Sequence, residues 1–202
     1  MGIKAILFDF GGVLVLSDGY PQRDLWEQRL GMDPGELPSR LFDSEQISSA
    51  LVGQISVEEM WVGFGATLGL DAAESRKLSE DFFVGEYLNE ELIAFAQSLR
   101  SRYRVAVLSN AWTNARPLFT EWYHLDAVFD PLIISAEVGL AKPDPRIYHL
   151  AAERVDARPD EVVFLDDSLM NIEAAREVGF CGVHYQHNAQ AIGEILRCLD
   201  GD

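Results

Sequence analysis

The chain has 202 residues, of which 48% are hydrophobic and 24% are charged, and its formal net charge is −17. This length suggests one domain, or one domain with an insertion, and the composition excludes a disordered chain or a disulfide-stapled miniprotein. An acidic surface repels phosphate backbones and anionic lipids, so we expect no nucleic-acid partner and no membrane partner. An anionic ligand would therefore need a local cation to hold it.

The two cysteines, Cys181 and Cys198, do not form a Cys-x-x-Cys pair. We expect them to be reduced and structural. No apolar run approaches the roughly 20 residues that a membrane-spanning helix needs. Together these features predict a cytoplasmic protein.

The chain begins with a short apolar run at residues 3–8, which predicts a buried parallel strand that leads into a turn. Further short strands are predicted at residues 104–109, 131–135 and 161–165, with helices that include 89–99, 145–155 and 168–178. Alternating strands and helices predict an α/β fold with a doubly wound parallel sheet. Ligands bind at the carboxyl ends of the strands in such sheets, so the residues after each strand are the candidates for a site.

A different pattern occupies residues 17–87. Helix-spaced apolar residues recur there, and they predict helices at residues 24–30, 37–52, 56–68 and 72–83. Ser56 and Glu59 have the spacing of a capping box, which favours a helix start at that point. The pattern predicts a small all-helical domain, 17–87, inserted after the first strand of a core domain made of 1–16 and 88–202.

Polar residues occupy four places, of which three follow predicted strands and one lies in a loop. In chain order these are Asp9, Ser109 with Asn110, Lys142, and Asp166 with Asp167. Each residue alone is as readily explained as a turn residue, a helix cap or a solvated loop residue. Considered together, a carboxylate, a hydroxyl, an ammonium and an acidic pair indicate a site for one phosphorylated ligand and one divalent ion such as Mg²⁺.

Four segments of the sequence resemble the motifs of the haloacid dehalogenase-like hydrolase superfamily. They are Phe8-Asp9-Phe10-Gly11-Gly12-Val13-Leu14, Leu108-Ser109-Asn110, Gly139-Leu-Ala-Lys142-Pro-Asp-Pro145 and Leu165-Asp166-Asp167-Ser-Leu-Met-Asn171. The resemblance covers essentially the whole chain. The phrases Leu108-Ser-Asn-Ala-Trp112 and Lys142-Pro-Asp-Pro-Arg-Ile-Tyr148 further resemble the subgroup that includes the phosphatase domain of soluble epoxide hydrolases. The resemblance implies a Rossmann-like core with an α-helical cap at the predicted insertion.

The resemblance also implies roles for the reacting groups. Asp9 would be the nucleophile that forms an aspartyl-phosphate, and Lys142 would steady the negative charge. Asp9, Asp167 and the carbonyl of Gly11 would hold Mg²⁺, with Asp166 in support. Asn171 would orient the loop that carries the acidic pair.

Substrate contacts are expected from a second set of residues. The resemblance implies that Ser109 and Asn110 hold the phosphoryl oxygens, and Gly12 lets the backbone turn and present amides to the ligand. Trp112 follows Asn110 closely enough to reach the same cleft, whereas Trp61 is expected in the helical core of the cap. The four histidines show no metal-ligand spacing, and surface or packing roles are expected for most of them.

One departure from the family pattern concerns the general acid. Phosphatases of the superfamily usually have an aspartate two residues after the nucleophile, whereas this chain has Gly11. The leading hypothesis is an Mg²⁺-dependent phosphatase of a small phosphorylated metabolite. The alternatives are a dehalogenase and a non-catalytic protein that binds a phosphorylated ligand, which Gly11 favours. The acidic pair argues against the dehalogenase, because that reaction needs no divalent ion and an unneutralised pair would repel the nucleophile and the substrate. The chain is expected to be a monomer or a homodimer.

Overall fold

The structure is a computed structural model that describes residues 2–201. Its strands are β1 Ala5–Phe8, β2 Val15–Ser17, β3 Glu86–Leu88, β4 Arg104–Ser109, β5 Leu132–Ile134, β6 Val162–Asp166 and β7 Cys181–His184. Five of them form a parallel sheet in the order β5-β4-β1-β6-β7. The predicted parallel α/β sheet is confirmed, and β7 extends it by one strand beyond the prediction.

The helices of the described residues lie between and around these strands. They are α1 Pro21–Leu30, α2 Glu36–Phe42, α3 Glu45–Leu51, α4 Val57–Thr67, α5 Ala72–Phe82, α6 Glu90–Leu99, α7 Ala115–Pro117, α8 Ser135–Val138, α9 Pro145–Arg154, α10 Leu169–Val178 and α11 Asn188–Asp200. A π-helical turn, Leu118–Trp122, continues α7, and short 3₁₀ turns lie at Leu125–Ala127 and Pro159–Glu161. None of the helices in residues 2–201 has both the length and the apolar character that a membrane crossing requires.

Both faces of the sheet are buried, because successive side chains of a strand point to opposite sides. In β1, Ile6 and Phe8 pack into one apolar cluster with residues of α6 and α11. Ala5 and Leu7 pack into a second cluster with residues of α9 and α10. Helices on both faces explain why the strands are continuous apolar runs with no alternation.

Helices α1 to α5 form the inserted region, which has its own apolar cluster. Ser56 accepts a hydrogen bond from the backbone N–H of Glu59 and the Glu59 carboxylate accepts one from the backbone of Ser56, so the predicted capping box is confirmed. The single helix predicted at 37–52 is instead two helices. Ser44 ends one and begins the next, because its hydroxyl donates to the carbonyl of Leu41 and accepts from the N–H of Ile47.

A two-stranded antiparallel ribbon joins the helical region to the sheet. It consists of β2 and β3, in which Val15 pairs with Leu88 and Ser17 pairs with Glu86. The two connections are therefore hydrogen-bonded to each other. No local pattern predicts this ribbon, because each of its strands has only three residues.

The expectation that both cysteines are reduced is wrong for this structure, in which Cys181 and Cys198 form a disulfide. Cys181 begins β7 and Cys198 lies in α11, and the packing of that helix against that strand brings the two Cα atoms to 6.5 Å. Such a Cα separation lies in the usual range for disulfides. Neither element was predicted from the sequence, so the proximity could not be foreseen.

Candidate active site

Asp9 directly follows β1, and its carboxylate is nearly buried. The Nζ atom of Lys142 lies 2.7 Å from its Oδ1. Burial raises the pKa of Asp9 to about 7, with Asp166 adding to the rise and Lys142 opposing it. An ionised Asp9 is therefore costly at this place unless positive charge lies beside it.

Lys142 supplies positive charge to two carboxylates at once. Its side chain is fully buried, and Nζ is 2.7 Å from Asp9 Oδ1 and 2.6 Å from Asp166 Oδ2. Burial alone would lower the pKa of Lys142, but the two carboxylates outweigh it and raise the pKa above its ordinary value. Lys142 is thus held as a charged ammonium between two acids from different strands.

Asp166 ends β6 and is completely buried, with every contact made inside the protein. It accepts hydrogen bonds from the backbone N–H of Ser168 at 2.8 Å and from the Asn171 carboxamide at 3.1 Å, in addition to Lys142. The Asn171 contact joins the first turn of α10 to the end of β6. Asp166 therefore positions Lys142, Ser168 and Asn171 and has no exposed surface towards the cleft.

Asp167 is exposed at the mouth of the site. Partial desolvation and the neighbouring charge of Asp166 raise the pKa of its carboxyl group. One oxygen each from Asp9, Asp166 and Asp167 lies within 4.8 Å of the others, which is a grouping that can hold a metal ion. We call Asp9, Lys142, Asp166 and Asp167 the acidic site.

The two glycines after Asp9 differ in their surroundings. Gly12 has a φ of +73°, and a methyl group there would collide with the Asp167 carboxylate and lie 2.7 Å from its Cγ. Gly11 is not in the left-handed region, and a Cβ atom added there would meet no atom within 4 Å. Only Gly12 is therefore required by the backbone and by the close approach of Asp167.

Ser109 ends β4 and is buried, and Asn110 follows it at the carboxyl edge of the sheet. The Asn110 carboxamide is engaged with the loop that carries the lysine: Nδ2 donates to the Lys142 carbonyl, and Oδ1 accepts from the Lys142 N–H, both at 2.8 Å. The side chain of Asn110 thus positions Lys142. A phosphoryl contact from Asn110 would have to come from its backbone N–H.

Trp112, in the loop after β4, contacts the inserted helical region. Its ring centre is 5.9 Å from that of Trp61 and 5.7 Å from that of Phe83, both of the helical region. Trp61 is buried within the cap, as predicted. We call Trp61, Phe83 and Trp112 the aromatic cluster.

Two residues contact the loops around the site in ways that no sequence pattern predicts. His184 was expected at the surface or in packing, but its Nε2 lies 2.9 Å from the Asp167 carbonyl oxygen. Asn89, the N-cap of α6, donates from its carboxamide to the Val13 carbonyl at 2.9 Å. The register that pairs Asp166 with His184 could have revealed the first contact, but β7 itself was not predicted.

A buried lysine and a set of carboxylates meet at the carboxyl edge of a parallel sheet, which is where open α/β sheets bind their ligands. A family model described as haloacid dehalogenase-like hydrolase matches residues 3–179. The chain belongs to that family of hydrolases.

The chain is also similar to curated relatives and, in its fold, to solved structures. Bifunctional epoxide hydrolase 2 from Sus scrofa is 28% identical over 217 residues, which cover 96% of this chain but only 38% of that protein. D-ribitol-5-phosphate phosphatase from Bacteroides thetaiotaomicron is 30% identical over 190 residues, or 88% of this chain and 89% of the relative. A crystal structure of a haloacid dehalogenase family enzyme from the same bacterium, a magnesium complex, has a TM-score of 0.76 and 22% identity over 92% of this chain and 94% of that one. That structural likeness shows the shared fold.

Proposed function

We propose that the protein is an Mg²⁺-dependent phosphatase that hydrolyses a small phosphorylated metabolite through an aspartyl-phosphate on Asp9. The acidic site is the observation that carries the proposal, because its three carboxylates and buried ammonium suit a phosphoryl group and a divalent ion. The likeness to D-ribitol-5-phosphate phosphatase over most of both chains supports the same reaction class.

The residues present suit Mg²⁺. Ionised, the acidic site carries three negative charges and one positive charge, and Asp167 stays open to solvent beside Asp9. Hard divalent cations prefer such carboxylate oxygens, so Asp9 and Asp167 would bind the ion, together with the Gly11 carbonyl. Asp166 would support them, because its oxygens already accept hydrogen bonds from Lys142, Ser168 and Asn171. When bound, Mg²⁺ neutralises charge on the phosphoryl oxygens and on the nucleophile.

The chain's own groups would carry the bond changes. A carboxylate oxygen of Asp9 attacks phosphorus, and the bond from phosphorus to the leaving oxygen breaks. That oxygen takes its proton from water, because residue 11 has no side chain to supply one. Water then attacks the same phosphorus, the bond to Asp9 breaks, and inorganic phosphate leaves.

Binding of the phosphoryl group would use the end of β4. The Ser109 hydroxyl and the backbone N–H of Asn110 are the proposed donors to its oxygens, whereas the N–H of Gly12 already donates to the Val15 carbonyl at 2.9 Å. Lys142 stays protonated throughout, held beside Asp9 by Asp166 and by the Asn110 carboxamide.

The test is a panel of phosphate monoesters and 2-haloacids assayed with Mg²⁺ and with a chelator. We expect phosphate release that needs Mg²⁺, and intact-protein mass spectrometry should detect a phosphoryl group on Asp9 during turnover. Halide release without a metal would instead establish a dehalogenase. Phosphate binding without any turnover would favour the non-catalytic alternative that Gly11 suggests.

Two further expectations go with the proposal. The chain is expected to be a monomer or a homodimer, which light scattering would decide. A cytoplasmic location stays a prediction that cell fractionation would test.

A further inference from the structure

The indole N–H of Trp112 is a buried donor without an acceptor. Within residues 2–201, Nε1 of Trp112 is the one buried side-chain nitrogen or oxygen that makes no hydrogen bond. Buried polar atoms in folded proteins almost always have a partner, so an exception at the edge of a site needs an explanation. The rest of the ring is well accommodated, because it packs edge-on against Trp61 and near Phe83.

The backbone that presents this indole is fixed. The carbonyl of the preceding residue, Ala111, accepts a hydrogen bond from the Ser135 hydroxyl at 3.1 Å. The N–H of Ala111 donates to the Ser135 hydroxyl oxygen at 3.0 Å. Asn110, one residue earlier, is fixed to Lys142 at both ends of its carboxamide. Trp112 is therefore anchored to the same strand end as Ser109 while its ring contacts the cap.

An indole N–H can only donate, and it carries no charge at any ordinary pH. The neighbouring rings of Trp61 and Phe83 offer no oxygen acceptor, so an acceptor on a bound molecule would complete the hydrogen bond. The acidic site already carries excess negative charge, which disfavours a second anionic group close by. A neutral oxygen of the leaving alcohol is the acceptor that these conditions favour.

We propose that Trp112 determines specificity by donating its indole hydrogen bond to a hydroxyl or ether oxygen of the leaving alcohol. This inference rests on the proposed phosphatase function. It assigns the substrate class as phosphate monoesters of small, oxygen-bearing alcohols, in preference to esters of purely alkyl alcohols. A substrate without such an oxygen would leave the donor buried and unpaired when it binds.

The experiment compares glycerol 1-phosphate with propyl phosphate, which has the same carbon chain without the two free hydroxyls. The ratio of the two kcat/KM values should favour the glycerol ester in the parent and should fall about tenfold in Trp112→Phe, since a neutral hydrogen bond is worth about one such factor. Trp61→Phe is the matched control, because it removes an indole from the aromatic cluster without removing the unpaired donor. Its ratio should equal that of the parent.

Binding is measured separately from turnover, with the indole N–H resonance of Trp112 in the Asp9→Asn variant. Glycerol 1-phosphate should shift this resonance, and propyl phosphate should leave it nearly unchanged. An unchanged ratio in Trp112→Phe together with equal resonance shifts would overturn the inference while the phosphatase proposal stands. A selective shift with no hydrolysis of either ester by the parent would support recognition by Trp112 and refute the phosphatase proposal.

Discussion

The acidic site and the aromatic cluster are held together by different forces. In the acidic site, Lys142 from a loop lies between the carboxylates at two strand ends. Its Nζ is 2.7 Å from Asp9 and 2.6 Å from Asp166. In the aromatic cluster, the rings of Trp61, Phe83 and Trp112 touch across the join of core and cap without a hydrogen bond between them. One region is fixed by directional contacts and the other by apolar packing.

This difference indicates which region can change without loss of the chemistry. Removing one member of a buried charge network leaves its partners uncompensated, so the acidic site tolerates little variation. Apolar packing adapts to substitutions of similar volume, so the cap can alter substrate choice while the reacting groups stay in place. The predictions below test this division, starting with the largest expected effect.

Asp9→Asn should abolish turnover, by at least about 10⁴-fold, because an amide is a poor nucleophile of nearly the same size. Phosphate release under saturating Mg²⁺ is the measurement, with circular dichroism to show that the fold persists. Activity within a few-fold of the parent would refute the covalent mechanism. It would also show that the acidic site is less essential than its contacts suggest.

Gly11→Asp should raise kcat/KM for alkyl phosphates by about 10²-fold and change activated aryl phosphates little, because a positioned acid assists only poor leaving groups. The substitution is sterically open, since residue 11 has no left-handed φ and the added Cβ would meet no atom within 4 Å. Gly11→Asn is the matched control of equal size without the acid.

The parent should accordingly depend strongly on the pKa of the leaving alcohol. A flat dependence would mean that another carboxyl group already supplies the proton. Asp18 is one candidate, and its exposed carboxylate accepts a hydrogen bond from the Tyr87 hydroxyl at 2.9 Å. In that case Asp18→Asn should create the dependence that the parent lacks.

Asp167→Asn should weaken Mg²⁺ binding by about 10- to 100-fold, because one anionic oxygen ligand is lost. Calorimetric titration of the protein with Mg²⁺ measures this change. Asp126→Asn, which neutralises an exposed carboxylate outside the acidic site, is the control and should leave the affinity as it is. An equal affinity in both variants would place the metal away from Asp167.

Mg²⁺ binding should also weaken as the pH falls. Burial raises the pKa of Asp9 to about 7 in the metal-free protein, so below that pH a proton occupies the carboxylate and must leave when the metal binds. The apparent affinity should fall by up to about tenfold per pH unit below 7 and change little above it. Titrations between pH 5.5 and 8.5 test this, and a flat profile would mean that no carboxyl group of the acidic site releases a proton to the metal in this range.

The acidic site could be predicted from sequence to a much greater extent than its surroundings. Asp9, Ser109 and Asp166 each lie at the end of a short apolar run, and the topology of a parallel sheet then gathers them at one edge. The contact between the Asn110 carboxamide and the Lys142 backbone joins residues 32 positions apart and depends on loop geometry. No local pattern encodes such a contact.

The cap was predicted as a set of helices but not in its detail. The break at Ser44 interrupts an apolar spacing that continues on both sides of it, so periodicity alone favoured one helix. The disulfide and the ribbon of β2 and β3 depend on which short elements pack together, and that is decided by the whole fold. Three- and four-residue strands carry too few side chains to show a pattern.

The smallest expected effect concerns how the cap sits on the core. Gly53, between α3 and α4, has a φ of +71°, and a methyl group there would collide with the Ala136 carbonyl oxygen of α8. We propose that the cap, residues 17–87, closes as a unit over the acidic site. Gly53→Ala should therefore hold the cap away from the core. We expect kcat/KM to fall several-fold while Mg²⁺ affinity is unchanged, because closure excludes water and completes the substrate contacts. Gly69→Ala is the matched control, since it has a similar φ of +76° but no neighbour within 4 Å of the added carbon. Equal activity losses in the two variants would mean that backbone strain alone explains them, and the contact with Ala136 would then have no role in seating the cap.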